Sequence, residues 1–139
     1  MKNKSSAKKS AGTKGAKVVK EFFISGKTSA EVPYRNGLRE GAGKMYYESG
    51  KLYAVEQYKG GKLNGKTVTY YETGAIQAEL NYNNDLLDGT VTEYYPSGKI
   101  ESKISYKGGK KEGSFVIFSE TGAVEKTQTY RDDRLVANA

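Results

Sequence analysis

The feature that most constrains the fold of this chain is a 24-residue internal repeat. Five tyrosines recur at that interval: Tyr34, Tyr58, Tyr82, Tyr106 and Tyr130. After each of the first four, glycines follow at seven and sixteen residues, an aromatic residue at twelve and a branched aliphatic residue at eighteen. Because residues at several different offsets recur with the same period, the sequence predicts a row of equivalent units, each packed on its neighbours.

Each unit has the pattern of a β-hairpin. The second and third residues after each repeat tyrosine are always Gly, Asn or Asp, which tolerate the positive φ of a type I′ turn. A second turn, ESGK, ETGA or PSGK, places glycine where a type I turn with a bulge needs a left-handed residue. The segments between the turns are rich in Tyr, Val, Thr and Ile, which suit strands. The glycines seven residues after each tyrosine lie near strand starts, where we expect a bulge or close aromatic packing.

The pattern predicts an all-β fold: an elongated, single-layer antiparallel meander of repeated β-hairpins with about ten strands. Residues 1–17 are expected to form a basic disordered tail, and residues 18–139 the repeat domain. The domain divides into a half-unit, four full units and a C-terminal stub: 18–33, 34–57, 58–81, 82–105, 106–129 and 130–139. A single layer also explains a hydrophobic content of only 36%, because a tyrosine ring covers the sheet while its hydroxyl stays in water.

Charge is segregated along the chain. Residues 1–20 hold seven lysines and no acid, which equals the formal net charge of +7, whereas residues 21–139 hold 16 basic and 16 acidic residues. The Lys-, Ser-, Ala- and Gly-rich tail cannot bury enough apolar surface to fold alone, yet it could attract a polyanion or an anionic membrane. The residues expected to make that contact are Lys2, Lys4, Lys8, Lys9, Lys14 and Lys17. The neutral body disfavours a nucleic-acid-binding domain.

Composition excludes several classes of function. With no His and no Cys, the chain has no Ser-His-Asp or Cys-His catalytic set, thiolate zinc site or disulfide. No facing carboxylate pair or calcium loop is evident, so we expect no catalytic residue, metal or cofactor. The segment GGKLNGKT at 60–67 matches the phosphate-loop pattern, but a strand pattern follows where a helix is required. No apolar run follows the basic N-terminus, which predicts no secretory signal and a cytoplasmic location.

Two segments resemble a known repeat: YKGGKLNGKTVTYYETGAIQAELNY from Tyr58 and YPSGKIESKISYKGGKKEG from Tyr95. They are similar to the MORN repeat variant over roughly residues 18–136, and such chains are often named as YwqK family antitoxins of toxin–antitoxin systems. The resemblance implies a non-enzymatic all-β repeat sheet that binds proteins or phospholipids, and it carries no catalytic residue. The third unit departs from the pattern with Asn84-Asp85, and the fourth with Phe118-Ser119.

A column of tyrosines thirteen residues after each repeat tyrosine is the candidate binding surface. It comprises Tyr47, Tyr71 and Tyr95, is flanked by Tyr53, and ends at Ser119. Since adjacent strand residues face opposite sides, we expect this column opposite the aromatic column that precedes it. Spaced about 10 Å apart, the rings could form a contact strip, because tyrosine provides large area at low entropic cost; the alternative is that they only shield a thin sheet.

The leading hypothesis is therefore a module that binds another protein through this tyrosine-bearing face, in its most specific form an antitoxin or immunity protein that masks a toxin. One alternative is a peripheral binder of anionic phospholipid membranes that uses the lysine-rich tail. Another is an architectural repeat that associates edge to edge with itself, because open sheets expose unpaired strands.

Overall fold

One open antiparallel sheet contains all the regular structure of the described residues. The computed structural model describes the backbone of residues 4–12 and 15–139 and the side chains of residues 15–139. Fifteen strands follow one another across the sheet in chain order, except that the short strands β4, β7 and β10 pair only with the strand before them. The strands are β1 (Lys4–Gly12), β2 (Ala16–Phe23), β3 (Thr28–Arg35), β4 (Leu38–Arg39), β5 (Gly41–Tyr46), β6 (Leu52–Lys59), β7 (Lys62–Leu63), β8 (Gly65–Tyr70), β9 (Ile76–Asn83), β10 (Leu86–Leu87), β11 (Gly89–Tyr94), β12 (Ile100–Lys107), β13 (Lys110–Phe118), β14 (Val124–Arg131) and β15 (Arg134–Asn138).

The predicted fold class is confirmed, but the predicted count of about ten strands is wrong. Strands β4, β7 and β10 have two residues each and are separated from the next strand by a bulge. At that bulge Gly41, Gly65 and Gly89 have φ of 100°, 115° and 111°, which glycine adopts readily. The fourth unit runs through the equivalent Gly113 as one strand, β13. The remaining additions, β1 and β15, come from the segments expected to be a tail and a stub.

Both predicted turn types are confirmed by the backbone. The two central residues of every first turn have positive φ, including the non-glycine residues Asn36, Asn84 and Asp85 at 51°, 47° and 71°. In the second turns, glycines such as Gly50 and Gly74 have φ of 91° and 95°. First and second turns lie at opposite ends of the strands and so line the two long sides of the sheet. We call these sides the first-turn edge and the second-turn edge; they are not the outer strands.

The apolar core lies along one face of the sheet. Ala30, Val32 and Tyr58 form its buried centre, with Tyr34, Met45 and Leu63 packed against it. The Tyr58 ring covers Gly43, where an added Cβ would lie 3.0 Å from Cε2 of that ring. A ring packed over bare backbone thus supplies burial that a second layer would otherwise provide.

Strand β1 lies within residues 1–17, for which composition predicts disorder, and its backbone pairs with β2. Residues 1–3, 13 and 14 lie outside the described chain, and disorder stays a prediction for them. Over the described residues, no helix has the length and hydropathy that a membrane span requires.

Candidate interaction surfaces

The predicted tyrosine column (Tyr47, Tyr71 and Tyr95) lies in the second turns, one residue after β5, β8 and β11 end. Each backbone N–H donates across its turn to the carbonyl four residues later, at 2.8 Å. Because these residues follow the strands, strand alternation does not decide which face they occupy. Their position at the second-turn edge is set by the turn.

Each hydroxyl of the tyrosine column binds the backbone of the next unit. Tyr47 donates to the carbonyl of Tyr70, and Tyr71 to that of Tyr94, both at 2.6 Å. Tyr95 donates to the carbonyl of Phe118 at the same distance. Since each acceptor ends the strand two places further along the sheet, each side chain spans the intervening strand. Burial raises the pKa of all three phenols, and their rings remain partly exposed.

Tyr53 packs beside Tyr47, the first residue of the column. Its ring meets that of Tyr47 edge to face, with centroids 5.1 Å apart and planes at 70°. The next two units carry Gln77 and Glu101 at this position. The aromatic surface is therefore widest at the first full unit.

The column has different residues at its two ends. Phe23 occupies the equivalent position in the half-unit and is only 1% exposed. Ser119 occupies it in the fourth unit, where its hydroxyl lies 2.7 Å from that of Thr121. The partly exposed rings are thus confined to the three central positions.

Sequence reasoning missed two hydrogen-bonded Tyr–Glu–Lys sets. Tyr46 donates to Glu31 at 2.5 Å, and Lys20 lies 3.5 Å from the same carboxylate. Two units later, Tyr94 contacts Glu79 in the same way, but Val68 is opposite Glu79 and the cation is the diagonal neighbour Lys66, 3.4 Å from the carboxylate. The signal was a glutamate recurring after 48 residues, twice the repeat period.

These contacts shift the pKa of the groups involved. The hydrogen bond from Tyr46 lowers the pKa of Glu31, with help from Lys20. Burial and the same hydrogen bond raise the pKa of Tyr46 to about 12. The lowered pKa of Glu31 and the raised pKa of Tyr46 both favour a protonated phenol bound to an ionised carboxylate.

The lysines proposed to contact polyanions lie mostly outside the described side chains. Lys2 and Lys14 lie outside the described residues, and Lys4, Lys8 and Lys9 are in β1, whose side chains are not described. Lys17 is in β2 and is exposed.

No group in the described chain has the arrangement of a metal or nucleotide site. Residues 15–139 contain no cluster of three or more potential metal ligands. The carboxylate of Asp85 instead accepts the backbone N–H of Leu63 at 2.8 Å. The phosphate-loop match is the turn Gly60-Gly61 followed by strands β7 and β8, so no helix N-terminus faces it. An open depression of about 460 Å³ beside Val18, Pro33 and Tyr34 holds no such cluster.

Comparisons with known proteins find a family model that is similar to three of the repeat units. The chain is similar to a solved structure described as "Crystal structure of GtfA/B complex bound to UDP and GlcNAc", with 12% identity and a TM-score of 0.37. The match covers 90% of this chain and 24% of that chain. At this level of similarity, neither fold nor function is inferred from it. No curated protein matches. The MORN repeat variant model matches residues 39–59, 63–84 and 87–107, whose starts are one repeat period apart. Three consecutive units of this sheet therefore match the MORN repeat variant model.

Proposed function

We propose that this chain is a non-enzymatic module that binds another protein, with the tyrosine column and Tyr53 as a contact surface. The supporting observation is that the three column rings are anchored before any partner arrives, because each hydroxyl binds the next unit. An anchored ring loses little rotamer freedom on binding, so more of its contact energy contributes to affinity. The Tyr47–Tyr53 pair is the widest part of this surface and its expected centre.

In its most specific form, the module is an antitoxin or immunity protein that masks a toxin by surface contact. A stable complex buries about 800 Å² on each partner. That is about a tenth of the 8560 Å² accessible surface of the chain. Co-expression with the toxin should then relieve its growth inhibition, and relief should be lost when the contact surface is removed.

The test compares variants that remove rings with variants that remove only hydroxyls. Affinity capture with the wild-type chain identifies the bound protein, and calorimetry measures its affinity. Y47S/Y71S/Y95S introduces the serine of the fourth unit and should abolish binding, whereas Y47F/Y71F/Y95F keeps the rings but loses their anchoring hydrogen bonds and should bind more weakly than the wild-type chain. Y53Q, with the residue of the second unit, should weaken binding while leaving the column hydrogen bonds in place. Unchanged affinity in folded serine and Y53Q variants would refute the proposal.

An anionic membrane is the alternative partner, and exposed Lys17 with the other tail lysines is its proposed contact. Deleting residues 1–14, which removes five of the six proposed contact lysines and keeps Lys17, should then weaken binding to anionic vesicles and reduce its salt dependence. A protein partner held by the tyrosine column should be retained after this deletion.

Self-association is the third candidate, because all five residues of β15 are exposed and an edge strand can pair with another chain. A concentration series in analytical ultracentrifugation distinguishes a self-associating sheet from a monomeric binder.

A further inference from the structure

A row of basic residues follows the first-turn edge. Ten residues flank the five first turns as directly opposed pairs, so each pair shares a face. Seven are basic, none is acidic and all ten are exposed. We call this set the basic row: Arg35, Leu38, Lys59, Lys62, Asn83, Leu86, Lys107, Lys110, Arg131 and Arg134.

No residue of the basic row forms an ion pair within residues 15–139. The two ion pairs of residues 15–139 are Lys20–Glu31 and Lys66–Glu79, neither of which involves the row. Nearby carboxylates keep their negative charge but are held away from the row by backbone N–H groups: Asp85 accepts from Leu63 and Asp133 accepts from Lys111. The row therefore presents positive charge that an acidic partner would complement.

Two half-exposed leucines interrupt the positive charge. Leu38 and Leu86 are each 51% exposed and occupy the same position 48 residues apart. Each rests against a glycine of the next first turn, with an added Cβ at Gly61 or Gly109 lying 3.3 or 3.2 Å from the leucine Cδ2. Four strand spacings separate the two leucines, which is about 19 Å.

We propose that the basic row binds an amphipathic α-helix whose contact face carries alternating apolar and acidic residues. The residues that directly follow successive first turns are Leu38, Lys62, Leu86 and Lys110. Apolar and basic residues therefore alternate, and neighbouring positions are two strand spacings apart, a distance of about 10 Å. Seven residues of α-helix advance about 10.5 Å and return to nearly the same face. Three residues of an extended strand advance about 10 Å but end on the opposite face. A helix therefore presents a residue from the same face to every one of these positions, whereas an extended strand does so only at every second position.

The leucines favour a protein partner over a nucleic acid. A phosphate backbone would complement the seven cations but would leave both leucines without an apolar contact. A helix with leucines opposite Leu38 and Leu86 and glutamates opposite Lys62 and Lys110 uses both kinds of position. This surface deepens the proposed protein-binding function and is distinct from the tyrosine column at the second-turn edge.

The test uses a labelled synthetic helix with leucines about fourteen residues apart and a glutamate about seven residues after each. The comparison probe is a peptide of the same composition with these positions scrambled. Fluorescence anisotropy should show tighter binding of the patterned helix, and L38S/L86S or K62E/K110E should weaken it about tenfold or more. K27E/K99E changes the same charge at the second-turn edge and should leave the affinity unchanged. Amide chemical-shift changes should map to residues 35–39, 59–63, 83–87 and 107–111.

Several results would overturn the proposal. These are equal binding of the scrambled peptide, wild-type affinity in folded L38S/L86S and K62E/K110E, or shift changes confined to the second turns. Binding of single-stranded RNA or anionic vesicles without binding of the patterned helix would assign the row to that partner instead. Y47S/Y71S/Y95S should still bind the helix, so failure of the tyrosine surface and failure of the basic row are separate outcomes.

Discussion

The hydroxyl of Tyr71 donates a 2.6 Å hydrogen bond to the backbone carbonyl of Tyr94, the last residue of β11. The Tyr71 side chain crosses β9 to reach it, so the bond joins one repeat unit to the next. The same bond recurs in the units before and after. These contacts act as nearest-neighbour links in a sheet whose units touch only their neighbours.

Removing one link should destabilise the sheet measurably. Y71F should lower the free energy of unfolding in urea by about 1 kcal/mol, because it deletes a partly buried hydrogen bond between two units. Y70F is the matched control, since the described structure gives the Tyr70 hydroxyl no hydrogen bond, and it should change stability little. Equal effects of the two substitutions would contradict the inter-unit role.

The carboxylate of Glu31 should titrate abnormally because Tyr46 donates to it. The folded pKa of Glu31 lies below its ordinary value of 4.5, so its stabilising effect is present above that value and is lost as pH falls through the folded pKa. Y46F should raise the Glu31 pKa in a carboxyl NMR titration, and Y70F should not. An unchanged Glu31 pKa in Y46F would contradict the assignment of the hydrogen bond as the main cause.

The Tyr46–Glu31 hydrogen bond also gives a prediction for alkaline pH. The pKa of Tyr46 is raised from 10.0 to about 12, so its contribution to stability is complete below 10.0 and is lost as pH rises through about 12. E31Q should lower the Tyr46 pKa in an NMR titration that follows the ring signals of Tyr46. A Tyr46 that titrates with its ordinary pKa in the wild-type chain would refute the contact.

Turn geometry and unit order could be predicted from sequence because both depend on local chemistry. Asn84-Asp85 replaces glycine in the third unit, yet both residues adopt the expected positive φ. The predicted number of strands was too low, partly because the bulge at Gly41 divides what would otherwise be a single strand into β4 and β5. Periodicity could not indicate how a bulge divides a strand.

Contacts between units were less accessible to sequence reasoning. Periodicity found Tyr71, but its acceptor is a backbone carbonyl 23 residues away, which has no side-chain signature. The Tyr46–Glu31 contact was hidden because Val55 replaces the glutamate in the next unit. A column that alternates between units appears unconserved when each unit is compared only with its neighbour.

An acidic turn residue should hold successive first turns together. The carboxylate of Asp85 accepts the N–H of Leu63, and its own N–H donates to the Leu63 carbonyl, both at 2.8 Å. D85A should lower the unfolding free energy by about 1 kcal/mol, since it removes the acceptor and places alanine at positive φ. D85N keeps an acceptor oxygen and tolerates that φ, so it should retain most of the stability. Equal losses in both variants would argue against the side-chain bond.

The contact between Leu86 and Gly109 should make glycine necessary at that turn. An added Cβ would lie 3.2 Å from Leu86 Cδ2, and the residue has φ of 85°. G109A should therefore cost the left-handed strain of about 1–2 kcal/mol plus a steric cost of about 1 kcal/mol. Gly37 has φ of 78° with no atom within 4 Å of an added Cβ, so G37A measures the strain alone. In an L86A background the cost of G109A should fall to that of G37A; a cost that does not depend on Leu86 would show that backbone strain alone requires the glycine.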